Sequence, residues 1–201
     1  MAISLEGRTA IVTGAGGGLG RTHALLLARA GANVIVNDIP QNLANAEAVV
    51  EEIRAAGGHA EAAGASVTDE AAVAEMVGKA GAVDILVNNA GILRDKSFSK
   101  MDLADFRLVV DVHLMGSVIC TKAVWDGMRE RNYGRIVMTT SSSGLYGNFG
   151  QSNYGAAKMA LVGLMQTLSL EGAKNNVRVN CLAPTARTAM TENLLPPQAL
   201  E

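Results

Sequence analysis

Two side chains that can exchange a proton, Tyr154 and Lys158, stand four residues apart in a stretch of helical composition. This spacing places both side chains on one face of a helix, where they can act together. A free phenol has a pKa of about 10, and a neighbouring cation favours the phenolate and lowers that value. The pair predicts acid–base chemistry at Tyr154, although this short pattern alone is weakly specific.

Hydroxyl side chains precede this pair in the sequence. Thr140, Ser141, Ser142 and Ser143 come at the end of a short apolar run, residues 135–140. Open parallel sheets bind ligands at the carboxyl ends of their strands, where a hydroxyl can donate to a carbonyl oxygen. The run therefore offers a hydrogen-bond donor to a substrate; a plain Ser/Gly loop is the alternative interpretation.

A glycine-rich turn follows the first apolar run and contains Gly14, Gly18, Leu19 and Gly20. Where such a turn joins a strand to a helix, backbone N–H groups and the positive helix end can cradle a pyrophosphate. The spacing differs from G-x-G-x-x-G, and a nucleoside triphosphatase loop would require Lys where this chain has Arg21. The turn predicts a dinucleotide site; a flexible turn with spare glycines is the alternative.

An acidic residue, Asp38, ends the second apolar run, 24 positions after Gly14. A carboxylate at about this distance accepts hydrogen bonds from the adenine-side ribose. This carboxylate would repel the 2'-phosphate of NADP. Arg21 is the nearby cation that could offset the repulsion, but it could instead face solvent or an acid. The cofactor is therefore predicted to be NAD; a turn-forming Asp before Pro40 is the alternative.

The elements that must position these residues alternate along the chain. Short β-branched runs predict strands at residues 9–13, 33–37, 59–63, 85–88, 135–140 and 177–182. Ala- and Leu-rich segments predict helices at residues 19–30, 43–56, 69–79, 102–131 and 153–174. Strands without polar alternation are typical of a parallel sheet covered by helices on both faces. We therefore expect one α/β domain, a doubly wound parallel sheet in three αβα layers.

Composition narrows the classes of partner. The 201 residues are 49% hydrophobic with a formal net charge of −2 and no run of like charges, which disfavours nucleic acid and anionic membranes. The N-terminus lacks a signal-peptide pattern, and no stretch reaches about 18 uninterrupted apolar residues, so a soluble cytoplasmic protein without a membrane span is expected. Cys120 and Cys181 lie in apolar runs without a Cys/His cluster, so no metal site is predicted.

Taken together, the glycine turn, the Asn88-Asn89-Ala90-Gly91 stretch, Ser141 and the Tyr154/Lys158 pair resemble the short-chain dehydrogenase/reductase family over nearly the whole chain. The resemblance implies a Rossmann fold in which Tyr154 is the acid/base, Ser141 orients the substrate oxygen, and Lys158 lowers the Tyr154 pKa and holds the nicotinamide ribose. It further implies that residues 88–91, including Asn89, Ala90 and Gly91, line the adenosine side, and that Thr188 reaches the nicotinamide amide or pyrophosphate.

Within that family the chain resembles the branch of (3R)-hydroxyacyl-CoA dehydrogenases. His113 stands where the family commonly has a relay asparagine, and the branch also carries histidine there, which implies a catalytic role for His113. The resemblance implies an acyl-CoA substrate, for which the candidate apolar wall comprises Leu145, Tyr146, Phe149, Leu194 and Leu195. The alternatives are a 3-oxoacyl-carrier-protein reductase, a steroid or sugar alcohol dehydrogenase, and a dinucleotide-binding sensor without turnover.

Three further expectations concern departures and assembly. Ser66 replaces an acid that often contacts adenine, and Thr185 replaces the usual glycine after Pro184. Family chains continue into a further strand, so residues 1–201 are interpreted as one dinucleotide-binding and catalytic domain lacking its C-terminal strand, with residues 185–201 beginning the substrate loop. Helices 102–131 and 153–174 are apolar over much of their circumference, which predicts a homodimer or homotetramer.

Overall fold

A computed structural model describes residues 3–184 as a parallel six-stranded sheet between two layers of helices. The strands are β1 (Thr9–Val12), β2 (Asn33–Asp38), β3 (His59–Gly64), β4 (Val83–Asn88), β5 (Gly134–Thr139) and β6 (Val177–Leu182). Their order is β3-β2-β1-β4-β5-β6. Strand order therefore reverses direction between β1 and β4, which confirms the doubly wound sheet and places a ligand crevice at the carboxyl ends of these two strands.

The helices follow the strands in alternation. They are α1 (Gly18–Arg29), α2 (Leu43–Ala55), α3 (Glu70–Ala80), α4 (Leu103–Val110), α5 (Gly116–Glu130), α6 (Ser142–Tyr146) and α7 (Ser152–Gly172). The predicted helix at 102–131 is interrupted by a π-helical turn, Asp111–Met115, and residues 142–146 form a short helix that the sequence analysis did not predict. The other predicted elements lie within a few residues of the observed ones.

Each face of the sheet carries its own core. Small residues of α1 and α2, such as Ala24, Ala28 and Ala46, pack against β1 and β2 and bring these helices close to the sheet. On the opposite face, α3, α5 and α7 bury larger side chains, among them Trp125, Met128 and Leu161. Strand β4 is buried at all six positions because helices cover both its faces.

The long helical segment Leu103–Glu130 is long and apolar enough to cross a membrane by length and composition, with a mean hydropathy of 1.4 in its most apolar window. In the structure 44% of that window is buried, and Cys120, Val124 and Met128 pack into the core beside the sheet. These contacts are those of a core helix of an α/β domain, and they account for its apolar composition.

Candidate functional site

One cavity of about 760 Å³ lies along the carboxyl edge of the sheet, within the size range of small-molecule sites. It runs from the glycine turn past the end of β2 to the start of α7. Its lining includes most of the predicted site residues, namely Gly14, Gly18, Leu19, Asp38, Asn89, Ala90, Gly91, His113, Ser141, Tyr154 and Lys158. Gly20 lies behind it in the turn, and Thr188, with Leu194 and Leu195, falls outside the described residues.

The glycine turn is closed too tightly for side chains at two of its positions. Gly14 has φ +61°, and a Cβ there would lie 2.8 Å from the Ala90 Cα. A Cβ on Gly20 would overlap the carbonyl oxygen of Gly14. The backbone N–H groups at the start of α1 therefore remain open to the cavity, and the turn fits a pyrophosphate.

The residues after β4 brace this turn. The Asn89 amide donates to the carbonyl oxygens of Thr13 (3.0 Å) and Gly14 (3.1 Å). The Thr13 hydroxyl accepts from the backbone N–H groups of Asn89 and Ala90, both at 3.0 Å. Asn88, in contrast, points into the core and donates to Thr121, so it does not line the adenosine side as the resemblance implied. Thr13 is a site-forming residue that the sequence analysis missed; its position just before the turn was the available signal.

Asp38 ends β2 with its carboxylate fixed at the cavity. Its Oδ2 atom accepts from the Gly16 N–H at 3.0 Å, and its Oδ1 atom accepts from the Ile39 N–H at 2.9 Å. Arg21 faces away from this carboxylate and pairs with Glu52 at 2.6 Å. The Asn42 amide also donates to Oδ1, at 3.2 Å. Asp38 lines the cavity, each carboxylate oxygen can accept a further hydrogen bond, and the nearby cation is engaged elsewhere.

Ser141, Tyr154 and Lys158 meet where β5, α6 and α7 converge. Ser141 caps the start of α6, its hydroxyl accepting from the Ser143 N–H at 3.2 Å. Lys158 is buried, and its Nζ donates to the Thr139 carbonyl oxygen at 2.5 Å while lying 5.5 Å from the centre of the Tyr154 ring. The predicted helix-face pairing of phenol and ammonium is thus present at the carboxyl end of β5.

Burial dominates the electrostatics of this pair. Burial raises the pKa of Tyr154 above its ordinary value, the Ser141 hydrogen bond opposes this, and the Asp95 carboxylate adds to it. Burial also lowers the pKa of Lys158 to about 7. Lys158 is not among the groups that shift the Tyr154 pKa here, so the lowering of the Tyr154 pKa by Lys158 stays a prediction.

His113 lies in the π-helical turn, with its ring edge-on to Tyr154 and the ring centres 5.2 Å apart. Its Nε2 atom lies 2.8 Å from the Ile92 carbonyl oxygen and 3.1 Å from the Ile92 N–H nitrogen, and a neutral imidazole can donate to the first or accept from the second. Burial, followed by the charge of Lys158, lowers the pKa of His113 to about 3. The imidazole is therefore neutral near physiological pH.

The predicted acyl wall is only partly assembled. Tyr146 and Phe149 are almost fully exposed and Leu145 is partly exposed, and none of the three lines the cavity. Ser66, which replaces an acid, does line it. Among residues 3–184, no group of three or more His, Cys, Asp or Glu side chains is placed to hold a metal ion.

Comparison with known proteins agrees with this geometry. The family described as "short chain dehydrogenase" matches residues 8–199. The chain is 56% identical to peroxisomal multifunctional enzyme type 2 of Drosophila melanogaster, covering 95% of this chain and 33% of that protein. It is 50% identical to peroxisomal multifunctional enzyme A of Dictyostelium discoideum, covering 100% of this chain and 47% of that protein. The chain thus spans half or less of these relatives.

Shorter relatives are matched over most of their length. The chain is 43% identical to a 3-oxoacyl-[acyl-carrier-protein] reductase of Synechocystis, covering 95% of this chain and 79% of that protein. A solved structure of 7α-hydroxysteroid dehydrogenase with NADH and 7-oxo glycochenodeoxycholic acid superposes with a TM-score of 0.91 at 34% identity, over 98% of this chain and 78% of that one. The structure of the longer, full-length peroxisomal multifunctional enzyme type 2 of Drosophila melanogaster superposes with a TM-score of 0.79 at 52% identity. This match covers 92% of this chain and 32% of that one.

Proposed function

Because the chain belongs to the short-chain dehydrogenase family, we propose that it interconverts a secondary alcohol and a ketone, with (3R)-3-hydroxyacyl-CoA and 3-oxoacyl-CoA as its substrate pair. The observation that carries the proposal is the convergence of Ser141, Tyr154 and Lys158 with the glycine turn and Asp38 on one cavity. The two multifunctional relatives favour the acyl-CoA pair, and residues 1–201 would form one catalytic domain.

The site residues divide between two tasks. Tyr154 exchanges a proton with the substrate oxygen, and the Ser141 hydroxyl donates to that oxygen. Lys158 donates to the Thr139 carbonyl oxygen and so ties α7 to the end of β5, and neutral His113 packs against the Tyr154 ring. The raised pKa of Tyr154 keeps the phenol protonated at neutral pH, as an acid for ketone reduction requires.

A nicotinamide dinucleotide fits the other half of the cavity and supplies the hydride chemistry when bound. The open turn around Gly14 and Gly20 would hold its pyrophosphate, and Asp38 would accept from the adenine-side ribose. NAD is proposed over NADP because Asp38 would repel a 2'-phosphate and Arg21 is paired with Glu52. Thr188 stays a predicted nicotinamide contact.

One alternative function keeps support from a relative, and the site residues argue against the other. The Synechocystis relative favours reduction of a 3-oxoacyl group on a carrier protein, with the same Ser141, Tyr154 and Lys158. A sensor without turnover would need the glycine turn and Asp38 but would not need the buried Lys158 beside Tyr154.

For localisation, two relatives are named as peroxisomal, which favours peroxisomes over the cytoplasmic location predicted from the sequence.

A substrate panel with the Tyr154→Phe variant tests the proposal. The wild type should oxidise (3R)-3-hydroxyacyl-CoA with NAD, followed as NADH formation, and Tyr154→Phe should bind NADH but lose nearly all turnover. Ser141→Ala should lose roughly 100-fold or more in rate, whereas Ser142→Ala should lose little. Oxidation of a steroid or sugar alcohol without any activity on acyl-CoA would contradict the substrate, and near wild-type turnover by Tyr154→Phe would contradict the mechanism.

A further inference from the structure

The start of α7 is fastened to the loop that follows β4 by a fully buried side chain, Asn153. Its amide nitrogen donates to the Arg94 carbonyl oxygen at 3.0 Å, and its amide oxygen accepts from the Tyr154 N–H at 2.7 Å. Asn153 is 0% exposed, and burial of an amide is costly unless it is hydrogen-bonded. These two bonds fix the backbone of Tyr154 relative to the loop.

Two further hydrogen bonds join the loop after β4 to residues 150 and 151, and a third, from Asn148, holds the Gln151 side chain. Gln151, 5% exposed, donates from Nε2 to the Asp95 carboxylate at 2.7 Å and accepts at Oε1 from Asn148 at 3.1 Å. The Lys96 N–H donates to the Gly150 carbonyl oxygen at 2.9 Å. The Asp95 carboxylate is therefore tied to Gln151, three residues before Tyr154, although Asp95 and Gln151 lie 56 positions apart in sequence.

The charged and titratable groups around Tyr154 belong to several elements. The His113 ring centre and the Lys158 Nζ lie 5.2 Å and 5.5 Å from the Tyr154 ring centre. Asp95, on the loop after β4, accepts from Gln151, three residues before Tyr154. His113 is neutral near physiological pH, and Lys158 donates to Thr139. Arg94, on the same loop, also lines the cavity, and its side chain lies 3.8 Å from Asp105. Asp95 is thus the negative charge that acts on Tyr154 within residues 3–184.

We propose that Gln151 is a positioning residue that holds the Asp95 carboxylate near Tyr154, while Asn153 ties the Tyr154 backbone to the same loop, and that Asp95 thereby sets the pH range of the reaction. This inference rests on the proposed function. A fixed negative charge disfavours the phenolate, so Asp95 keeps Tyr154 protonated, which is consistent with its contribution to the raised Tyr154 pKa. Such a charge supports ketone reduction and moves alcohol oxidation to higher pH.

Asp95→Asn tests the charge with little change in shape, because the asparagine oxygen can still accept from Gln151. The midpoint of the pH profile of kcat/KM for alcohol oxidation should fall by about half a pH unit or more. Asp102→Asn is the matched control: it also removes a carboxylate near Lys96, but one that is exposed and does not act on Tyr154. An unchanged Asp95→Asn profile, or an equal shift in both variants, overturns the proposal.

Gln151→Ala tests the positioning step. Releasing Asp95 should shift the profile in the same direction, and adding Asp95→Asn to Gln151→Ala should then shift it less than in the wild-type background. Equal shifts in both backgrounds would show that Gln151 does not position Asp95. If Gln151→Ala fails to fold, the Asp95→Asn comparison still decides the role of the charge.

A measurement without turnover separates this inference from the proposed function. The chain has three tyrosines, so the absorbance change on tyrosinate formation, taken as the difference between each protein and its Tyr154→Phe version in the presence of NAD, reports Tyr154 alone. Asp95→Asn should titrate at lower pH than the wild type, and Asp102→Asn should not. Absence of activity on every alcohol would end the proposed function, whereas identical titrations of wild type and Asp95→Asn would end this one.

Discussion

At the scale of single residues, the buried ammonium of Lys158 lowers the free energy of unfolding of the protein. Among residues 3–184 its Nζ has one hydrogen bond, to Thr139, and burial lowers its pKa from 10.5 to about 7. The unfolded chain keeps this proton up to its ordinary pKa, while the folded chain releases it near 7. Between these values the unfolded state binds more protons, so stability rises with pH. Lys158 therefore weakens the fold most at and below pH 7.

Replacing this charge with an apolar side chain should stabilise the protein. Lys158→Met should be more stable than the wild type below pH 7 by on the order of a few kcal/mol, and the advantage should shrink as pH rises from about 7 to 10.5. Urea unfolding over this pH range measures it. Lys79→Met, on an exposed lysine of α3, is the control and should show no such trend. A pH-independent difference for Lys158→Met would contradict the assignment of the cost to its charge.

Asp38 governs the second residue-scale prediction. Asp38→Ala should weaken NAD binding, since acceptors for the ribose hydroxyls are lost, and should bring NADP affinity closer to that of NAD, since a repulsion is relieved. Titration of both cofactors by fluorescence measures the two affinities. Arg21→Ala is the control, because Arg21 is paired with Glu52 and should leave the preference unchanged. Tighter binding of NADP than NAD by the wild type would show that Asp38 is not beside the ribose.

At the scale of elements, local patterns were informative where one physical cause decides the structure. Apolar runs predicted the strands because both faces of β4 and its neighbours are covered, and the glycines predicted the turn because side chains do not fit there. The π-helical turn Asp111–Met115 was missed, since the composition of residues 102–131 is helical throughout and does not set these five residues apart. The bonds of Asn153 and Gln151 were missed because they join segments far apart in sequence.

The glycine turn offers a matched pair of substitutions on one element. A Cβ on Gly20 would overlap the Gly14 carbonyl oxygen, whereas a Cβ on Gly17 would have no atom within 4 Å. Gly20→Ala must displace the backbone of the turn, at a cost of about 1–3 kcal/mol, and should weaken NADH binding by tenfold or more. Gly17→Ala leaves the turn unstrained, although Gly17 lines the cavity, and should lose less NADH affinity than Gly20→Ala. Fluorescence titration of NADH compares them, and equal affinities would show that the tight closure of the turn is not needed.

At the scale of the whole molecule, the outer surface of α7 lacks the charges that solvent-facing helices usually carry. Residues 159–170 contain no Asp, Glu, Lys or Arg. The charged Glu171 is exposed only in the last turn of α7, and the exposed positions up to residue 170 are small, apolar or uncharged: Ala156, Met159, Gly163, Gln166, Thr167 and Leu170. Solvated helices normally pair an apolar stripe with a charged face, so the uncharged part of α7 is expected to be covered by another chain.

The homodimer or homotetramer predicted from the sequence would then use α7 as part of its interface. Met159 is 50% exposed in the amino-terminal half of this surface, and Met159→Glu would bury an unpaired carboxylate if a second copy packs there. The wild type should sediment as a dimer or tetramer, and Met159→Glu should sediment at a lower mass. Leu26→Glu, on α1 and 60% exposed, places the same charge on the opposite side of the sheet and should leave the assembly intact. A monomeric wild type would contradict the predicted assembly. An oligomer that resists Met159→Glu, or one that Leu26→Glu dissociates instead, would move the interface away from α7.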